Sequence, residues 1–287
     1  MSNLRSAGKR VFWAIAPLLP ERLRLKILFY NTHKFWPNLR APRTYSEKIQ
    51  WRKLHDRRPL LAVFADKYLV RKYVEEKIGA KYLTQLYWVS EDARSLPFDM
   101  LPNSFAAKTN HGTRWNILVK DKRQANRDEI VAKLSAWLLD RYPPEHGEWG
   151  YSQIKPLAFA EELLTTRDGS IPPDYKFFVF NGKVRMIQVD LDRFTGHSRC
   201  LFTPDWQLMP VGLGYPKGAG APRPDGLEEM IRCAETLAGE MDFVRADFYN
   251  VDGRIVFGEL TNYPGGGFEA FSPPEFDVEV GSWWRLA

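Results

Sequence analysis

The stretch that most constrains the fold lies near the end of the chain: Val244-Arg-Ala-Asp-Phe-Tyr-Asn-Val-Asp-Gly-Arg-Ile-Val-Phe-Gly-Glu-Leu-Thr-Asn-Tyr-Pro-Gly-Gly-Gly267. It reads as two strands around an Asp-Gly turn, with a carboxylate inside each strand and a glycine run behind them. A strand interior is an unfavourable place for a carboxylate unless a cation holds it there. Side chains alternate faces along a strand, so the turn length decides what the acids can do together. A two-residue turn at Asp252-Gly253 pairs Asp247 with Gly258 and turns Glu259 to the opposite face. A three-residue loop, Val251 to Gly253, pairs Asp247 with Phe257. Asp247, Glu259 and Thr261 then share a face, with Arg245 opposite Glu259. Only the second register lets one metal ion be gripped, so the odd-length loop is expected. Hard cations such as Mg²⁺ are commonly held by one or two carboxylates plus substrate phosphates, which points to a metal–nucleotide site. An ordinary hairpin with solvent-facing acids is the plainer alternative.

The other chemistry-bearing residues also fall in short β-rich runs. Lys108 ends an apolar run and is followed by a turn holding His111, Gly112 and Arg114, whose backbone N–H groups could face a phosphate. Glu161-Glu162-Leu163 interrupts an apolar run. Asp174 and Lys176 share one face of a hairpin whose turn is Asn181-Gly182, a strong hairpin signal. Asp190 and Asp192 share a face of its second strand, with Arg193 turned away. Two lysines, an arginine, a glycine turn and two carboxylates are the parts phosphoryl transfer requires. P-loop, dinucleotide-binding, zincin and serine-hydrolase motifs are absent. The remaining histidines show no pairing pattern.

The first 80 residues read as helices: Pro20 to about His33, then Thr44 to His55 behind a Thr44…Glu47 capping box, then Pro59 to Gly79. Strands are expected at Leu83–Val89, Ser104–Thr109, Ile117–Val119, Pro156–Leu164, Asp174–Phe180 and Val184–Asp192. A helix is expected from Arg123 to about Asp140, a loop over 141–153, and a Gly/Pro-rich ordered loop or lid over 210–224. Asp225 is expected to cap a helix ending near Gly239. Helices first, then two mainly antiparallel sheets with helices, make the class α+β. Three regions follow: 1–80, basic and helical; 81–160, a first lobe with a phosphate loop; 161–287, a second lobe with the metal site.

Charge is unevenly placed. Residues 1–80 hold 18 Lys and Arg against 6 Asp and Glu, a net +12, while the whole chain carries +6. Aromatic residues are interleaved with them, which suits a helical subdomain with a solvated basic face, or an anionic membrane surface. No nucleic-acid motif is present. Two cysteines without metal spacing suit a reducing compartment, and the apolar run Val11 to Pro20 is too short to span a bilayer. A cytoplasmic location, in peripheral contact with the inner face of the membrane, is the expectation.

The order of these parts resembles the ATP-grasp superfamily, in wording closest to its teichuronopeptide-biosynthesis (TupA-like) branch. The matching pieces include Asp66-Lys67, Lys108…His111-Gly112, Asp174-Tyr-Lys-Phe-Phe178, Phe180-Asn-Gly-Lys183 and Phe257-Gly-Glu-Leu-Thr261. The resemblance implies that Lys108, His111, Gly112 and Lys176 meet the phosphates of ATP. Glu161, Glu162 and Leu163 would read adenine and ribose. Asp247, Glu259 and Thr261 would hold Mg²⁺, with Lys176, Arg193 and Arg245 acting on the transferred phosphoryl group. Arg114 stands where a second loop glycine is expected, and Thr261 where Asn is common. The implied activity is ATP-dependent carboxylate–amine ligation through an acyl-phosphate, for example joining an amino acid to a uronic acid of an anionic glycan or its precursor. The alternative is a metal-dependent glycosyltransferase using a nucleotide sugar through Asp190-Leu191-Asp192.

Overall fold

The computed structural model describes residues 16–191 and 196–286. Asp192 and Arg193 therefore lie outside the described residues, as does the basic segment 1–15. Two antiparallel sheets face each other across a cleft. The smaller has the order β1 (Leu86–Ser90), β4 (Ala158–Glu161), β2 (Phe105–Thr109), β3 (Asn116–Val119). The larger has the order β10 (Arg254–Thr261), β9 (Phe243–Val251), β5 (Asp174–Phe180), β6 (Lys183–Leu191), β7 (Ser198–Phe202). A two-stranded ribbon pairs β8 (Gly212–Leu213) with β11 (Phe271–Ser272).

Period-2 patterning explains how these sheets bury their faces. On the smaller sheet Phe105, Ala107, Ala158 and Ala160 pack under helix Arg127–Leu139 through Ile130 and Leu134. That leaves Ala106, Lys108, Phe159 and Glu161 on the opposite, cleft-facing side, where Lys108 pairs with Phe159 and Ala106 with Glu161. On the larger sheet Tyr175, Phe177, Ala246 and Phe248 pack against helix Leu227–Ala238. The other face begins as an aromatic core of Phe178, Phe180 and Phe243 beneath Tyr45 and Trp284. Further along the same strands that face turns polar: Lys176, Gln188, Arg245 and Asp247.

Several expectations are corrected. The helix expected from Pro59 to Gly79 breaks into Pro59–Ala65 and Val70–Ile78. Asp66 ends the first piece, and its Oδ1 accepts from the Tyr68 and Leu69 N–H groups at 2.8 and 2.9 Å, a local alternative to helical bonding. Asp225 caps nothing: Gly226 is the N-cap of helix Leu227–Ala238, without a side-chain bond. The expected loop over 141–153 contains a short helix, Trp149–Ser152. Strand β7 and helix Phe276–Trp283 carried no sequence signal that was read. The capping box at Thr44 and Glu47 is present with both of its hydrogen bonds.

Candidate active site

The terminal hairpin turns in two residues, not three. Arg254 pairs with Val251, and Asp252 and Gly253 both take positive φ, 51° and 93°, the geometry of a tight turn whose twist suits the strands. By alternation alone this would turn Glu259 away from Asp247. It does not, because a β-bulge at Gly258 intervenes. Phe257 still pairs with Phe248, but Glu259 pairs with Asp247 and Thr261 with Arg245. A bulge adds one residue to one strand and so restores the lost phase. The shared face expected for Asp247, Glu259 and Thr261 is thus real, but it comes from the bulge. Arg245 stands opposite Thr261 rather than Glu259.

Across the sheet a continuous polar row results. Gln188 on β6 pairs with Lys176 on β5, Lys176 with Asp247 on β9, and Asp247 with Glu259 on β10. Arg245 ties the row together. Its Nε and Nη2 donate to the two oxygens of Asp247 at 2.8 and 2.7 Å, and Nη2 also reaches Glu259 at 2.9 Å and Thr261 at 3.1 Å. Lys176 bonds Asp174 and stands 3.4 Å from Asp247. Asp247 is 3% exposed. Burial pushes its carboxyl up, while Arg245 and Lys176 draw it back down. Burial also opposes ionisation of Glu259, but Arg245, Lys67 and Lys176 outweigh it and hold its carboxyl at about 2. With its side chain 45% exposed, solvent screens part of that effect.

The cleft face of the smaller sheet supplies the opposing cations. Lys108 pairs with Glu161, whose other oxygen accepts from Arg71 at 3.1 Å and Thr84 at 2.7 Å. Glu161 is therefore committed to protein cations, while Leu163 lines the cavity beside it. Glu162 pairs with Arg254 of the terminal hairpin and accepts from the Gln85 N–H. These residues, with Lys67, Tyr249, Phe257 and Gly258, line a cavity of about 260 Å³ between the two sheets. Lys67 and Arg71 were not singled out as site residues. They reach the cleft from the region between helices Pro59–Ala65 and Val70–Ile78, about 40 and 90 residues before Lys108 and Glu161 respectively. Asn110 holds Lys67 in place: its carbonyl accepts from the Lys67 N–H at 3.1 Å, and its side chain donates to Asp66 at 2.9 Å. Lys67 Nζ bonds the Gly112 carbonyl.

His111 and Gly112 sit in the turn after β2, but their roles there are packing roles. His111 is buried, with Nε2 3.1 Å from the carbonyls of Trp137 and Asp140, so an Nε2–H donates there. Burial pushes its pKa down. An added Cβ on Gly112 would lie 1.9 Å from the Trp115 ring. Arg114 takes φ 63°, the left-handed conformation a glycine would favour.

A second cavity, of about 520 Å³, opens on the other side of the carboxylates. Arg245, Glu259 and Thr261 form one wall, and Arg114, Tyr142, Glu148, Tyr151 and Phe268 the others. The glycine run Gly265–Gly267 borders it, pinned by the helix Tyr45–His55: Lys53 Nζ and Gln50 Nε2 donate to the Gly266 carbonyl at 2.7 and 2.9 Å.

Among the described residues no three His, Cys, Asp or Glu side chains cluster to hold a metal on their own. The pair Asp247 and Glu259 nonetheless fits the magnesium pattern of one or two carboxylates completed by phosphates. The two are cross-strand partners, and Glu259 is half exposed at the cavity wall. Asp190 does not fit a metal ligand. It is 4% exposed at its side chain and accepts from Arg199 at 2.7 Å, Gln188 at 3.0 Å and His197 at 3.2 Å.

Two facing antiparallel sheets with lysines on one and paired carboxylates on the other define a nucleotide-dependent ligase site of the ATP-grasp kind. The sequence matches the TupA-like ATP-grasp family over residues 47–284, and the chain belongs to that family. It is accordingly an enzyme of the carboxylate–amine ligase type. No curated protein matches it significantly. Among solved structures it is similar to an L-amino acid ligase from Bacillus licheniformis, at 13% identity and TM-score 0.48, over 87% of this chain and 57% of that one. It is also similar to a D-alanine–D-alanine ligase from Bacillus anthracis, at 14% identity and TM-score 0.45, over 78% and 67%. An ATP-grasp ligase, PsnB, in complex with a minimal precursor, aligns at 11% identity and TM-score 0.40, over 71% and 53%. The chain thus spans little more than half the length of the first of these solved ligases.

Proposed function

We propose that this protein uses ATP to join a carboxylate to an amine, with ATP in the cleft between the sheets. The observation that carries this reading is the polar row Lys176–Asp247–Glu259, facing Lys67 and Lys108 across the 260 Å³ cavity. Lys67, Lys108 and Lys176 would neutralise the polyphosphate, and Leu163 and Phe257 offer apolar walls to a base. An oxygen of the substrate carboxylate attacks the γ-phosphorus and ADP departs. The amine then attacks the acyl carbon, inorganic phosphate leaves with its electron pair, and an amide forms. Mg²⁺, held by Asp247 and Glu259 with Thr261 beside them, would supply charge neutralisation at the phosphates when bound. Arg245 orients both carboxylates through its three-way contact and places a fixed positive charge beside the transferred group.

The substrates proposed are an anionic glycan or glycan precursor of the cell surface, such as a uronic acid, and an amino acid. The excess of basic residues at the start of the chain suits such a glycan, or the inner membrane face that carries its lipid-linked form. Among the described residues Arg22, Lys34 and Arg40 are exposed. Tyr30 and Trp36, 42% and 60% exposed, stack at 4.7 Å beside them. No helix among the described residues is long and apolar enough to cross a membrane. The commitment of Asp190 to Arg199 argues against the glycosyltransferase alternative.

The test is thermal unfolding with Mg-ATP, Mg-ADP and Mg-UDP-glucose, on the wild type and Asp247→Asn. A ligand at ~100 times its Kd adds about 2.7 kcal/mol, roughly 5 °C for a chain of this size. An ATP-selective rise that weakens in the variant is expected, followed by ADP release when uronic and amino acids are added together. A rise with UDP-glucose alone would overturn the ligase reading.

A further inference from the structure

The second cavity contains a carboxylate that the ligase reading above leaves without a task. Glu148 lies between the end of helix Arg127–Leu139 and strand β4, and its side chain lines the cavity on the wall facing Glu259. Its Oε2 accepts from the Tyr142 hydroxyl at 2.8 Å. Its Oε1 receives no hydrogen bond from any described residue, and it lies against Gly266, at the cavity edge. The nearest buried cation, Lys53, is engaged elsewhere: Nζ donates to the Gly266 carbonyl at 2.7 Å and sits 4.4 Å from the Phe268 ring centroid. Burial pushes the Glu148 carboxyl up, with Lys53 and the Tyr142 hydroxyl acting in the opposite direction.

The surroundings narrow the chemistry. Tyr142 and Tyr151 stack at 4.0 Å on the same wall. A carboxylate oxygen lacking a partner, flanked by aromatic rings, is the arrangement that recognises an alkylammonium, by charge-assisted hydrogen bonding and cation–π attraction together. An anion is disfavoured at the same spot by Glu148 itself. Two more lining residues are under-satisfied: the Tyr263 hydroxyl and Asn262 Oδ1 are buried with no hydrogen-bond partner among the described residues. Arg245 cannot serve as an anion receptor here, since its guanidinium is taken by Asp247, Glu259 and Thr261.

We infer that the 520 Å³ cavity is the pocket for the amine substrate, and that Glu148 Oε1 receives its ammonium group beside Tyr142 and Tyr151. The inference rests on the ligase reading and adds the side from which the amine enters. ATP occupies the cleft on the Lys108 side of Glu259, and the amine arrives from the Tyr151 side, so the two meet at Glu259 and Arg245. Arg114, exposed at the mouth of this cavity, is placed to meet the anionic end of an amino acid.

The probe is a pool of the common L-amino acids at millimolar concentration, against the same pool N-acetylated, with binding read from the unfolding midpoint of the full chain in Mg-ADP. The free pool is expected to raise the midpoint and the acetylated pool to leave it unchanged. Glu148→Gln is expected to weaken the amine response roughly 10- to 100-fold, the loss of one charge-assisted hydrogen bond, while the Mg-ATP response stays intact. Glu148→Asp, which keeps the charge, is expected to recover part of it. If Glu148→Gln disturbs folding, the decision passes to Glu148→Asp and Tyr142→Phe, both expected to bind more weakly than wild type. An amine response indifferent to Glu148, or equal responses to both pools, would overturn the inference and leave the ATP result standing. Loss of the ATP response in the wild type would instead remove the ligase reading beneath it.

Discussion

Replacing Arg245 by Met tests the core of the site in one step. Arg245 is 9% exposed and makes four hydrogen bonds, two to Asp247, one to Glu259 and one to Thr261. Methionine fills much of the volume but leaves two cross-strand carboxylates facing each other, with Lys176 at 3.4 Å from Asp247 as the closest remaining cation. Breaking a buried pair by removing one partner costs ~3–5 kcal/mol. An unfolding entropy of about 2.1 cal/mol/K per residue makes this a fall of roughly 5–8 °C in Tm at neutral pH. The sign of the pH dependence follows from Asp247. Burial already raises its folded pKa, and the variant loses the main group that lowers it. The folded state then binds more protons than the unfolded chain above the ordinary carboxylate range, so the deficit shrinks as pH falls toward about 4. Mg²⁺ gives the second readout. With the guanidinium gone, the two carboxylates are open to a divalent ion, and saturating Mg²⁺ at ~100 times its Kd returns about 2.7 kcal/mol. The assay is differential scanning calorimetry at several pH values, with and without Mg²⁺. A variant as stable as wild type would refute the account of Arg245 as the charge that holds the row. A deficit indifferent to Mg²⁺ would refute the metal-holding role of Asp247 and Glu259.

Four further outcomes are expected. Glu259→Gln should flatten the acid side of the stability profile: the wild-type carboxyl, held at about 2 against the usual 4.5, contributes stability above pH 4.5 that is lost as pH falls toward 2, by less than the full shift because the side chain is half exposed. Gly112→Ala should cost ~1–3 kcal/mol through overpacking, since its Cβ falls on the Trp115 ring, and urea unfolding measures it. Arg52→Met should lower Tm by roughly 5–8 °C, because the wholly buried Arg52 holds Asp242 at 2.6 Å and the Phe243 carbonyl at 2.8 Å. Vesicles of anionic phospholipid should float the wild-type chain at low salt, and Lys34→Ala with Trp36→Ala should reduce the floated fraction; equal flotation would remove the membrane reading.

Much of the cleft was legible because alternation is a local rule. Asp174 and Lys176 share a face whatever the rest of the chain does, and Asn181-Gly182 turns where its φ preferences direct, with Phe180 pairing Lys183. The α+β class and both sheets followed from such runs. The terminal hairpin was read to the right face by the wrong route. Gly258 can be an ordinary strand residue or an extra one, and nothing local distinguishes the two. The choice depends on how Phe257 packs with Phe248 on one face while Glu259 meets Arg245 on the other.

The sequence by itself determined the strand inventory, the capping box, the polar positions within apolar strands and the family. These depend on residues within a turn or two of one another, where propensity and periodicity act. Tertiary structure decided which charges meet. Lys67 and Arg71 entered the cleft because the chain breaks at Asp66 and Asn110 clamps that break to the turn after β2. Glu161 was claimed by Arg71, Thr84 and Lys108, and Asp190 by Arg199. His111 turned to the end of a helix rather than into the cleft. Ion pairing between distant segments is set by where packed elements place their side chains, and that geometry is a property of the assembled sheets and helices, not of any window along the chain.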